Sequence, residues 1–169
     1  MREQILEWAE HLPPPLAIFA IATLPIFELR GAIPYAYTPL AASFGSAHPV
    51  LTFLIAAAGN FVPVLPILTL LGPAERRLRR FARADRFFTW LFARTERRSG
   101  LIRRYQAIGL ILFVAIPLPM TGAWTGSVAA YLFRLPLRFS IPCIILGICV
   151  AGILVTLVSM GVLHLWSNV

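Results

Sequence analysis

The chain has no lysine, little acid, and three long stretches with no charge at all. No Asp, Glu, Lys or Arg occurs from Gly31 to Ala74, from Tyr105 to Phe133, or from Phe139 to Val169. Charged residues make up 13% of the chain, where a soluble domain carries roughly a quarter. These gaps exclude an ordinary soluble domain, since about 20 apolar residues cross the hydrocarbon layer. Cysteine is scarce. Cys143 and Cys149 lie in one apolar run with no His or carboxylate beside them, which suits apolar filling and neither a disulfide nor a metal site. A Ser/His/Asp set, a metal-ligand cluster and a phosphate-binding glycine loop are missing, so no enzyme, cofactor or metal is expected. The first ten residues carry three Glu and one Arg and lack a basic leader, so a cleavable signal peptide is not expected.

What is present is apolar and basic. Apolar residues make up 59% of the chain, mean hydropathy is +0.79, and all fifteen basic residues are Arg, giving a net charge of +8. The expectation is an all-α integral membrane protein forming a single membrane domain over residues 1–169. Residues 2–12 place Ile5, Trp8, Ala9 and Leu12 on one helical face, and the prolines at 13–15 stop that helix, so 1–14 reads as an interfacial helix. Residues 15–72 form a first apolar unit, with a loop at Gly45, Ser46 and Pro49, a spanning stretch from Val50 to Leu71, and a stop at Gly72–Pro73. Residues 73–104 carry eleven Arg and three acids among recurring Leu and Phe, which suits a basic amphipathic linker on an anionic membrane surface and not a nucleic-acid patch. Residues 105–169 form a second apolar unit that ends in a span from Phe139 to Trp166.

Both units open on a broken segment. Leu24–Tyr35 holds Glu28 and Arg30 among Pro25, Gly31 and Pro34, and Ile116–Gly126 holds Pro117, Pro119 and Gly122. Arg-rich loops stay cytoplasmic, so residues 75–104 are placed inside. If Tyr105–Phe133 crossed the membrane, Arg134 and Arg138 would fall outside. A dip that returns keeps them inside, as two half-helices of about 12 residues, each about 18 Å long. Pro25 aligns with Pro117, and Gly31–Ala32 with Gly122–Ala123 after a one-residue gap. The expected plan is therefore two inverted repeats, each a re-entrant helical hairpin followed by a transmembrane helix.

Glu28 is the sole carboxylate between Glu10 and Glu75. Sheltered from water, such a group holds a proton more readily and can exchange it as the site changes exposure. Arg30 offers a planar fork suited to phosphate or carboxylate. Half-helix N-termini near Gly31–Ile33 and Gly122–Trp124 would add N–H groups for an anion. Thr121 and Thr125 would add hydroxyls, Trp124 an aromatic wall for a lipid-like substrate, and Asn60 a ligand or an interhelical hydrogen bond. The competing reading pairs Glu28 with Arg30 merely to hold the hairpin shut.

The Phe27–Pro34 pattern (FELRGAIP) resembles the signature of the small multidrug export protein family. The Pro117–Gly126 pattern and the Gly59–Asn60 pair are similar too. That family is distantly similar to the DedA membrane proteins, which are linked to translocation of undecaprenyl phosphate and phospholipids and built on two facing re-entrant hairpins. The resemblance implies transport, with Glu28 and Arg30 matching the acid and Arg of such hairpins, although the second hairpin has no charge before Arg134. It implies a prokaryotic inner-membrane transporter working among membrane lipids, with an anionic or amphipathic small-molecule or lipid substrate. Export of lipophilic cations and a non-transporting scaffold are the alternatives. A chain this small suggests a homodimer.

Overall fold

The computed structural model describes residues 12–81, 85–86, 89, 106–116 and 121–167. Among them are eight α-helices and no strand: α1 Pro14–Thr23, α2 Glu28–Ala36, α3 Ala42–Ala47, α4 Pro49–Phe61, α5 Val64–Leu78, α6 Gln106–Ala115, α7 Ala123–Leu132 and α8 Leu137–Ser167. The helical membrane class is as expected. The interfacial helix at 2–12 and nearly all of the basic linker lie outside the described residues.

Among the described residues two helices are long and apolar enough to cross a bilayer, Pro49–Leu78 and Leu137–Gly161. Only 33% of each apolar window is buried within the chain. Val50, Leu70, Leu157 and Val158 are each more than 60% exposed, which suits a lipid surround and not water. The first crossing joins α4 to α5, because Val62 and Pro63 keep helical dihedrals. By contrast α1, α2, α6 and α7 have 9 or 10 residues each, about 15 Å of helix, half of a hydrocarbon core of about 30 Å.

Two boundaries differ from the sequence reading. Gly72–Pro73 does not end its helix: α5 runs on to Leu78 with Pro73 inside it. Its last turn is held by the Glu75–Arg79 ion pair, four residues apart, and by Arg76 and Arg77 at the negative end of the helix dipole. Gly45 and Ser46 are not loop but belong to the short helix α3, which closes between Ala41 and His48. His48 is exposed, with its ring 5.4 Å from that of Phe44.

By its contacts the chain divides into two compact units, Met1–Val62 with Ile148–Val169, and Pro63–Gly147. In the first, α1, α2 and α4 pack on one another around Ile18, Leu29 and Ile33, and α3 packs on α2 and α4. In the second, α7 packs on both α5 and α6.

Candidate functional site

The first break follows from Pro25. A residue before proline is pushed out of the helical region, and Leu24 is extended at φ −76, ψ 135. The prolines at α1's other end suit its first turn, where no N–H is required. After the break the Leu24 carbonyl accepts the N–H groups of Phe27 and Glu28, and α2 begins. Glu28 opens it with φ 49, a left-handed conformation costing roughly 1–2 kcal/mol in a residue with a Cβ. Strain of this kind concentrates at functional sites.

Glu28 is only 5% exposed. Arg30 is half-buried, and the Glu28 carboxylate acts on its guanidinium. The expected helix start at Gly31–Ile33 is corrected here: Gly31 and Ile33 are interior to α2, and Pro34 also lies inside it, exposed. The difference has a consequence. The positive end of the α2 dipole falls on Glu28 itself, so the helix supplies its own acid where a foreign anion was expected.

Across from α2, helix α4 presents Thr52, Ala56, Gly59 and Asn60 as one buried stripe. Gly59 is required by close approach. A Cβ there would sit 2.5 Å from the Phe19 carbonyl oxygen and 3.0 Å from the Ala22 Cβ. Pro63 cannot donate to the Gly59 carbonyl four residues before it. The Gly59 carbonyl accepts the Val62 N–H at 3.3 Å instead, and the Thr23 hydroxyl of α1 lies 3.2 Å from it while also reaching the Phe19 carbonyl at 3.0 Å, so the proline in one helix is compensated in part by a side chain of another. Asn60 and Thr52 are each 1% exposed, and Asn60 Oδ1 and Thr52 Oγ1 have no hydrogen-bond partner among the described residues. A buried acceptor without a donor costs about 1–3 kcal/mol, which makes Asn60 Oδ1 a ready acceptor for a bound donor.

The second break lies between α6 and α7. Pro117 and Pro119 lie outside the described residues. Gly122 caps α7 with φ 148 and ψ −164, a conformation essentially closed to residues with a Cβ. Gly122→Ala is accordingly expected to lower stability by about 1–3 kcal/mol, read as an earlier thermal-unfolding midpoint in detergent. The expected helix start at Gly122–Trp124 holds, with α7 beginning at Ala123. Thr121 donates its hydroxyl to the Ile116 carbonyl at 2.8 Å, and Thr125 donates to Gly122 at 3.5 Å. The Thr121 hydroxyl therefore braces the break, and that of Thr125 faces the turn at Gly122. Trp124 is half-buried.

The sequence-predicted residues thus divide by unit. Glu28, Arg30, Gly31, Pro34 and Asn60 ride on the packed α1/α2/α4 group, and Thr121, Gly122, Trp124 and Thr125 ride on the α6/α7 pair. The sequence reading missed a polar cluster in the second unit. There the Tyr131 hydroxyl donates to Glu75 Oε2, while Arg79 donates to Glu75 Oε1 and, at 2.7 Å, to Asp85. These bonds, to Glu75 first, hold the Arg79 guanidinium above its ordinary range, so it stays charged. The four-residue Glu75–Arg79 spacing was visible in sequence, but Tyr131, 56 residues from Glu75, was not.

Residues 28–154 match one family model, described as "Putative small multi-drug export protein". Searches of curated proteins and of solved structures find no match.

Proposed function

The chain belongs to the small multi-drug export protein family, and we propose that it is a secondary transporter moving an amphipathic anion of the lipid-phosphate type together with a proton. The observation that carries this reading is the sheltered acid and guanidinium, two residues apart, at a helix start inside an apolar segment. While Glu28 is ionised, it occupies Arg30 and the α2 dipole itself. Once protonated, it releases both to a phosphate. Proton and anion then bind in concert, so they travel in the same direction. A lipophilic cation would instead compete with the proton for Glu28, and Arg30 would repel it.

The proposal includes the geometry of delivery. α1/α2 and α6/α7 are read as re-entrant hairpins of opposite orientation, each followed by a crossing helix, in the inner membrane of a prokaryote. The helix lengths and the packing of α1 on α2 and of α6 on α7 support this. A homodimer would complete an enclosure that 169 residues hardly provide alone. The deciding experiment is flux in proteoliposomes under an imposed pH gradient. A polyprenyl-phosphate analogue should move faster when the side it leaves is acidified. Faster movement of a quaternary ammonium dye against the proton gradient, with no phosphate flux, would reject the reading in favour of cation export.

A further inference from the structure

A cavity of about 540 Å³ in the second unit lies outside the site described above. Glu75, Arg76, Tyr131 and Arg134 line its polar side, and Leu68, Leu135 and Leu137 its apolar wall. We propose that it binds the phosphate headgroup of an anionic membrane lipid, independently of the transport reading.

Charge is the first argument. Both Glu75 oxygens are engaged, one by Arg79 and the other by Tyr131. Three guanidiniums, of Arg76, Arg79 and Arg134, act on a cluster holding two carboxylates, of Glu75 and Asp85, and Arg79 bridges both acids. Positive charge is therefore in excess at the cavity. Arg76 is exposed and makes no ion pair among the described residues.

Backbone is the second. α7 ends in a left-handed turn. The Leu135 N–H bonds the Ala130 carbonyl, the Arg134 N–H bonds the Tyr131 carbonyl, and Arg134 sits between them at φ 53. Glycine normally takes that place. An arginine there pays a conformational cost, and the guanidinium it delivers to the cavity wall is what glycine would lack.

Depth and size are the third. One candidate crossing ends at Leu78 and the other begins at Leu137, and the polar lining residues Glu75 and Arg76, with Leu137, sit near those ends, which suits a site at headgroup depth. Leu70 and Phe139 are largely exposed nearby in sequence, as residues facing acyl chains are. The volume falls in the range of sites for drug-sized ligands, about 300–1,000 Å³, and exceeds the needs of a bare oxyanion.

The test titrates the full chain, purified in zwitterionic detergent, with dioleoylphosphatidylglycerol, dioleoylphosphatidylcholine and inorganic phosphate, and reads binding by native mass spectrometry. The anionic lipid should bind at least about tenfold more tightly than the zwitterionic one, and inorganic phosphate should compete poorly. The pair of substitutions Arg76→Gln and Arg134→Gly should weaken the anionic lipid by about tenfold or more. Arg134→Gly alone should unfold no earlier than the unaltered chain, since glycine fits φ 53, which separates lost binding from lost folding. Equal binding of the two lipids, or unchanged affinity in the double variant, overturns the proposal. Inorganic phosphate competing as well as the lipid assigns the cavity to a free anion and overturns the lipid assignment.

Discussion

Proteoliposomes carrying Glu28→Gln are expected to lose proton-driven flux of a polyprenyl-phosphate analogue, down to the leak of protein-free vesicles. Glutamine keeps the size and hydrogen-bonding shape of the acid and tolerates φ 49 about as well, so the break should persist. What it removes is the alternation between an ionised group that occupies Arg30 and the α2 dipole and a neutral one that releases them. The variant resembles the protonated state permanently. It should still bind the phosphate, now without pH dependence, and fail to couple it to the gradient. Arg30→Ala should act differently. Losing a charge-assisted fork of hydrogen bonds should weaken the phosphate by about 10- to 100-fold, with the residual flux still responding to pH. Retained cellular function with both residues changed to neutral ones would instead favour a non-transporting scaffold, with Glu28 and Arg30 serving only to hold the hairpin shut.

The largest structural effect is expected from Gly59→Val. A side chain at 59 meets the backbone of α1, with its Cβ 2.5 Å from the Phe19 carbonyl oxygen, and backbone has no rotamer with which to yield. The helices would have to part, and the Thr23 hydroxyl would lose its 3.2 Å reach to the Gly59 carbonyl. Pro63 already denies that carbonyl its donor four residues on, leaving it the Val62 N–H at 3.3 Å. Overpacking and a lost hydrogen bond together should cost about 3 kcal/mol, or roughly 10 °C in the unfolding midpoint. An unchanged midpoint would show that α1 and α4 do not approach as closely as described. The substitution changes no charge, so it also tests whether the Glu28 region depends on this helix pair for its position.

Much of the architecture was legible because its causes are local. The uncharged runs give the crossings. Pro25 sets the break after Leu24, and Gly122 the start of α7. Where the sequence reading went astray, distant contacts or competing local terms decided. Pro73 reads as a stop, yet packing of α5 on α7 and the Glu75–Arg79 pair carry the helix to Leu78. Gly31 reads as a helix opening beside Gly122, but Leu24 already accepts the Glu28 N–H, so α2 begins three residues earlier and Glu28 takes the left-handed position. The aligned glycines therefore play different parts, one inside a helix and one capping it. Arg134 reads in sequence only as a topology signal, and Tyr131 carries no signal of its own. Only the fold places them with Glu75 around a cavity.

The account rests on broken segments that return to the side they entered from. Single cysteines at Pro13, Ser46, Arg80 and Arg138, in a chain with Cys143 and Cys149 changed to Ala, test this with a membrane-impermeant maleimide on intact cells and on inverted vesicles. All four positions are exposed. The account predicts that positions 13 and 46 label from outside and positions 80 and 138 from inside. Labelling of 13 and 46 from opposite sides, or of 80 and 138 from opposite sides, would mean that the chain between them crosses the membrane, and would contradict it.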